Sequence, residues 1–206
     1  MQWIEPEYSG EQIRKEGKIM LLSSDFDNQE FLDSADIFFN WRASHAFPMQ
    51  IMLDFLRKNA IRIDKQALVV QRLKRSSSIF LKLIREKGMS LSRMEDIAGC
   101  RAVLNKTEDV QRLHSNLTRS STKHILHRER NYISTPKHSG YRGVHLVFKY
   151  NGGKVKYQGL HVELQLRSKI QHAWATAVEV VGTFTKQALK ASAGDETWLD
   201  FFNMRA

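Results

Sequence analysis

Apolar positions along the first third of the chain recur at helical spacing. From Asp25 to Phe39 the pattern Phe31, Leu32, Ala35, Phe38, Phe39 predicts a helix that continues through Trp41 to His45. It should break before Pro48, because the residue preceding a proline disfavours helical backbone. A second helix is expected from about Met49 to Lys58, and a third from an Asp64 N-cap through Leu68, Val69 and Leu73 to Ile84, stopped by Gly88. The first 90 residues therefore read as helical.

The period then shortens. Asp96 to Leu104 reads as a strand and Glu108 to Thr118 as an amphipathic helix on Val110, Leu113 and Leu117. A strand over His124 to Arg128 and a polar loop over Glu129 to Gly140 follow. Two further strands, Val144 to Tyr150 and Leu160 to Arg167, flank the turn signal Asn151-Gly-Gly, and a closing helix runs from Lys169 to about Lys190. Helices followed by a mixed sheet, with a helix between the first two strands, predict an α/β (α+β) domain. The apolar cluster Trp198, Leu199, Phe201, Phe202 either docks on that domain or opens a helix belonging to a longer chain, and the abrupt end favours a truncated chain.

Composition narrows the function class. A 206-residue chain with one cysteine, Cys100, excludes a disulfide scaffold and a cysteine-based zinc site; Cys100 itself reads as a small buried hydrophobe. No apolar run reaches a membrane span and the acidic start has no signal-peptide stretch, so a cytoplasmic protein is expected. Lys and Arg number 32 against 22 Asp and Glu, a net charge of +10 that suits polyanionic partners. The cations crowd two stretches, Arg72 to Lys87 and Lys123 to Arg142.

Three segments could carry chemistry. In His161-Val-Glu-Leu-Gln-Leu-Arg167, alternation puts Glu163, Gln165 and Arg167 on one face. That is either an ordinary half-exposed strand or a carboxylate placed for a metal or a substrate hydroxyl. Asp96, followed by Gly99 and Arg101, is either a cap or a ligand for Mg²⁺, which takes one or two carboxylates plus substrate phosphates. The run Pro136 to His145 holds Lys137, Ser139, Tyr141 and Arg142, and is either a solvated turn or a surface for a phosphate and a base. His124 and His127 sit three apart on a strand and should face opposite sides, as core or surface histidines rather than ligands.

Taken in order, Arg72-Leu-Lys74, Ser78, Lys82, Asp96-Ile-Ala-Gly-Cys-Arg101, Tyr132-Ile133, Ser139-Gly-Tyr-Arg142, His145 and Val162-Glu-Leu-Gln-Leu-Arg167 resemble the RelA/SpoT synthetase domain, from roughly residue 68 to 190. The resemblance implies a nucleotidyltransferase-like mixed sheet flanked by helices, transferring pyrophosphate from ATP to a ribose 3′-hydroxyl with Mg²⁺. It divides the chain into a helical region over 1–62 packed on the core, a pyrophosphokinase domain over 63–192, and the start of a C-terminal helix over 193–206. By the same resemblance, Arg72 and Arg101 sandwich the adenine, and Lys74, Ser78 and Lys82 bind the ATP phosphates. Asp96 and Glu163 hold the metal, Glu163 also activating the attacking hydroxyl. Tyr141 stacks on the acceptor base among Lys137, Ser139, Arg142 and His145, with Gln165 and Arg167 beside Glu163. Glu179 stands one position later than in the small alarmone synthetases, so no role carries over to it.

The segments NWRASHAFP, SRMEDIAGCRAVL and QHAWATAVEVVGTF look closer to the toxic, phage-defence members (toxSAS, CapRel-like). That implies the 3′ end of tRNA as acceptor and an antitoxin-like region or protein as partner, with GDP or GTP as the alternative acceptor. A catalytically silent module that binds nucleotide or tRNA is the third reading.

Overall fold

The computed structural model describes residues 2–22, 28–187, 189 and 194–204. Helices α1 (Gly10–Leu22), α2 (Gln29–Ser44) and α3 (Ala46–Ile63) precede strand β1 (Leu68–Leu73). Helix α4 (Ser76–Arg85), β2 (Ala98–Leu104), α5 (Thr107–Thr118), β3 (Ile125–Asn131), β4 (Val144–Lys149), β5 (His161–Ser168), α6 (Lys169–Phe184) and α7 (Glu196–Met204) complete the order. The sheet runs β1-β2-β5-β4-β3, with β2 and β5 parallel and the other pairs antiparallel, so the fold is the expected mixed α+β class.

The expected third helix is where sequence and structure part. Leu68–Leu73 is an edge strand, and only Ser76–Arg85 is helical. The run holds Val69-Val70, whose branched side chains suit a pleated surface, and Val69 and Leu73 pack against the core while Leu68 and Val70 stay exposed. Asp64 is not an N-cap. It ends α3 in extended backbone, and its carboxylate accepts from the amides of Gln66 and Asn105, which fixes the turn into β1.

Smaller differences concern boundaries. Pro48 stands inside the first turn of α3, where a proline's missing N–H has no helical partner to lose, so the chain re-enters helix at Ala46. Asp96 precedes its strand by two residues, and β3 runs on to Asn131, into the expected polar loop. The β4–β5 connection is longer than a tight hairpin, with a 3-10 turn at Val155–Tyr157. The closing helix stops at Phe184. Asp25, the expected start of the first helix, and Lys190, the expected end of the closing one, lie outside the described residues.

Two layers of core set the sheet's faces. Met49, Met52, Leu53 and Leu56 of α3 and Val110, Leu113 and Leu117 of α5 cover one face, meeting Cys100, Leu146, Leu164 and their neighbours. Burial pushes the Cys100 thiol up to about 12, so it stays protonated and unreactive, as a small hydrophobe would. A second cluster joins Ile13 of α1, Phe38 of α2, Ile79 and Leu83 of α4 and Ile97, beside the other face. At the far end, α6 carries Trp174, whose indole N–H donates to the Phe202 carbonyl of α7 at 2.9 Å; the C-terminal aromatic cluster thus docks.

β5 passes into α6 without an intervening loop. Ser168 accepts from the Gln171 amide and the Gln171 side chain accepts from the Ser168 amide, a reciprocal cap at the junction.

Candidate active site

Because side chains alternate along a strand, the face opposite α3 and α5 receives His161, Glu163, Gln165 and Arg167 from β5, Gly99 and Arg101 from β2, and His145 from β4. Strand register aligns them in rows. Arg72, Gly99 and Glu163 lie side by side across β1, β2 and β5, and Val70, Arg101, Gln165 and His145 form the next row. This face floors a cleft of about 1010 Å³ lined by Arg72, Lys74, Lys82, Asp96, Lys137, His145, Glu163 and Gln165 among the predicted residues. Tyr132, Arg85, Lys87, Glu95, Arg128 and Arg130 join them.

Asp96 stands at the mouth of β2. The Nζ atoms of Lys74 and Lys82 each donate to one of its oxygens at 2.9 Å. Burial alone would raise the Asp96 pKa, but the two ammonium charges and their hydrogen bonds hold it below the usual carboxylate range. Lys74 is itself fixed: its amide donates to Ile97, and Arg42 of α2 donates to its carbonyl at 2.7 Å.

Glu163 is held differently. His145 Nδ1 lies 2.8 Å from its Oε1 and Gln165 Nε2 donates to Oε2 at 2.7 Å. His145 Nε2 meets the Tyr141 hydroxyl at 2.6 Å, and Arg167 Nε donates to that hydroxyl at 3.1 Å. Arg101 and Arg167 both donate to Gln165 Oε1. A neutral imidazole satisfies the whole chain, with Nδ1–H donating to Glu163, Nε2 accepting from Tyr141 and Tyr141 accepting from Arg167. Burial raises the Glu163 pKa, yet His145 and Gln165 outweigh it and bring it down to about 2. Both donors favour the charged carboxylate.

Glu163 and Asp96 line the same cleft, one on each of two adjacent strands or their approach. Two carboxylates lining one cleft fit a hard cation that also takes substrate oxygens; among the described residues no cluster of three or more metal-ligating side chains exists to make an all-protein site.

The remaining predicted residues do not all reach the cleft. Tyr141 is only 2% exposed, so it has no free face for an acceptor base. Its hydroxyl is tied to His145 and Arg167 and its ring packs near Trp174, with ring centroids 6.1 Å apart. Gly143 makes this enclosure possible: at φ 152° a Cβ there would stand 3.2 Å from the Tyr141 hydroxyl oxygen. The aromatic ring that does line the cleft is Tyr132, with Lys137 Nζ 4.6 Å from its centroid. Arg101 and Arg167 sit behind Gln165, Ser78 lies in the first turn of α4, and none of the three lines the cleft. Ser139 is buried with its hydroxyl lacking a partner, and Arg142 has a buried Nε in the same state, among the described residues. Sequence reasoning passed over Glu95 and Tyr132 as cleft residues. The one signal for Tyr132 was its place beside Ile133 in a recognised motif.

Known proteins resemble the chain in sequence and fold. The chain is 34% identical over 112 residues to GTP pyrophosphokinase YjbM of Bacillus subtilis, which covers 52% of each chain. It is 29% identical over 116 residues to GTP pyrophosphokinase rsh of Brucella melitensis, covering 56% of this chain and 14% of that protein. The chain thus spans about half, or much less, of the curated relatives it matches. Among solved structures, small alarmone synthetase 1 from Bacillus subtilis bound to its product pppGpp superposes with a TM-score of 0.61 at 25% identity, covering 77% of this chain and 85% of that one. Another structure of that synthetase gives 0.63 at 25% identity, over 84% and 88%. Residues 71–184 match the family described as the region found in RelA / SpoT proteins, which is more than half of the chain, and the protein belongs to that family.

Proposed function

We propose that the protein is a pyrophosphokinase that moves the β,γ-pyrophosphoryl group of ATP to a ribose 3′-hydroxyl. The observation that carries this reading is the pair of carboxylates, Asp96 and Glu163, facing one cleft beside Arg72, Lys74 and Lys82. The reaction forms a bond from the ribose oxygen to the β-phosphorus, breaks the Pα–O–Pβ link, and releases AMP. It needs a neutralised triphosphate, an in-line hydroxyl and a proton acceptor.

Magnesium held by Asp96 and Glu163 would neutralise charge on the transferred group. Lys74 and Lys82, which donate to Asp96, would also donate to phosphate oxygens of ATP and carry its charge. Arg72, exposed on the edge strand, faces the adenine side, with Arg101 behind it. Ser78, on α4 near the lysines, completes the donor set. Glu163 takes the hydroxyl proton on a lone pair that His145 and Gln165 leave free, since a carboxylate has about four such sites. Tyr141, Arg167 and Arg101 fix His145 and Gln165 rather than touching substrate.

The acceptor we favour is the 3′ end of tRNA. Cations at Arg85, Lys87, Arg93, Arg128 and Arg130 extend the basic lining well beyond the ATP lysines, as a chain of phosphates requires. Tyr132 and Lys137 would take the terminal base, with Ser139, Arg142 and His145 shaping that side. A toxic activity with a neutralising antitoxin belongs to this reading. GDP or GTP is the second reading, supported by the similarity to proteins named GTP pyrophosphokinases.

The test offers ATP labelled in the β-phosphate to purified protein with GDP, GTP and deacylated tRNA in separate reactions. AMP release with label on tRNA is expected. Label on guanosine nucleotides alone would replace the acceptor, and no AMP release with any acceptor would overturn the pyrophosphokinase reading.

A further inference from the structure

Glu95 immediately precedes Asp96, in the segment between the 3-10 turn Leu91–Arg93 and β2. Its side chain is 16% exposed and meets two guanidinium groups and an imidazole of β3. Oε1 lies 3.3 Å from Arg128 Nη2 and 3.4 Å from His127 Nε2, and Oε2 lies 3.6 Å from Arg130 Nη2. β2 and β3 are not neighbours. β5 and β4 lie between them, three strand spacings or about 14 Å, so these contacts reach across the cleft.

The fork on β3 has a local cause. Arg128 and Arg130 share a face by simple alternation, and His127 should point to the other side. The register shifts between Leu126 and Arg128, leaving His127 as the extra residue of a bulge, and the bulge turns it towards the same carboxylate. Two guanidinium groups and an imidazole thus converge on one anion, and all three line the cleft. Planar guanidinium groups pair with phosphate oxygens in the same forked geometry as with a carboxylate, and a phosphoryl group offers a third oxygen and more charge.

The fork also lies on the far side from the donor lysines. Arg72, Lys74 and Lys82 belong to β1, the turn after it and α4, at the opposite edge of the sheet. A phosphate bound at β3 would stand on the opposite side of the Glu95-Asp96 pair from Lys74 and Lys82, which suits a second substrate beside ATP.

We propose that Glu95 is a resident anion that holds the acceptor's phosphate fork and is displaced by an acceptor phosphoryl group. The proposal rests on the pyrophosphokinase reading of the cleft. Glu95 then sets a threshold for entry: a ribose without a phosphate within reach of Arg128 and Arg130 cannot replace the carboxylate. It acts on acceptor specificity by competing for these cations and does not touch the reacting atoms.

The experiment measures binding, not turnover, on the full chain with the ATP site filled by a non-hydrolysable ATP analogue. The probes are GDP, deacylated tRNA and inorganic pyrophosphate, titrated against the wild type, Glu95→Gln and Glu95→Ala. Removal of the charge should tighten at least one probe about fivefold, while the affinity of the ATP analogue moves less than about twofold. The gain should vanish when Arg128→Ala and Arg130→Ala are added. A merely structural Glu95 gives no such gain, and absence of tightening for all three probes, or equal tightening of the ATP analogue, overturns the proposal. Failure of the pyrophosphokinase reading shows separately, as absence of AMP release.

Discussion

Asp96 is gripped by two ammonium groups at the tips of long side chains, both partly open to solvent. Glu163, one strand over, is gripped by a ring and an amide that are themselves fixed by Tyr141, Arg101 and Arg167, with Tyr141 and Arg167 buried beneath the cleft floor. The first arrangement is made of exchangeable charge pairs. The second is a preset network in which each donor has one partner. The Asp96 end of the cleft is thus made of contacts that a competing anion can replace, and the other end holds one carboxylate in one orientation.

The comparison breaks most sharply at Glu163. Glu163→Gln keeps the shape and the hydrogen-bonding size but removes the proton acceptor, and kcat should fall by about three orders of magnitude with ATP binding retained. Near-normal single-turnover rates would show that the proton leaves by another route. Asp96→Asn should cost about a hundredfold and flatten the dependence of rate on magnesium, read by titrating the metal at saturating substrate. Tyr141→Phe leaves the ring in place and cuts the link from Arg167 to His145. A loss of about tenfold in kcat, with KM for ATP unchanged, is expected of a residue that acts only through His145.

Stability offers a further contrast. Glu163 has a folded pKa of about 2 against an ordinary 4.5, so its contribution is complete above pH 4.5 and is lost as pH falls towards 2. His45 and His161 are held down to about 4 by burial, so each destabilises the fold when protonated, beginning as pH falls below 6.5. Urea midpoints measured from pH 7 to pH 3 should fall first in the histidine window and then more steeply below pH 4.5. Glu163→Gln should shrink the second decline, leaving the part that Asp96 supplies, and should not alter the first. The smallest effect is expected at the C-terminal dock, where Trp174→Phe removes one hydrogen bond to Phe202 and should cost about 1 kcal/mol with kcat unchanged.

Much of this was legible in the chain. The clean alternation over His161 to Arg167 put Glu163, Gln165 and Arg167 on one face, which is where β5 places them. Asp96 and the two lysines, far apart in sequence, came together only through a resemblance, and the structure joins them at 2.9 Å. β1 was misread because Leu68, Val69 and Leu73 fit a helical stripe as well as a strand. What decided it was pairing with β2, a contact no local window contains. Tyr141 was misplaced for a related reason: its burial depends on Trp174, more than thirty residues later, and on a glycine that leaves room for its hydroxyl. The convergence of His127, Arg128 and Arg130 was hidden by the bulge, since strict alternation sends His127 to the wrong side.

The loopless junction at Ser168 has a mechanical consequence. With no hinge between them, the strand bearing Glu163 and the helix bearing Trp174 must tilt together, and the aromatic dock of α7 adds its weight to the same lever. The indole that ties α7 to α6 therefore sits on the same unbroken run of regular backbone as Glu163.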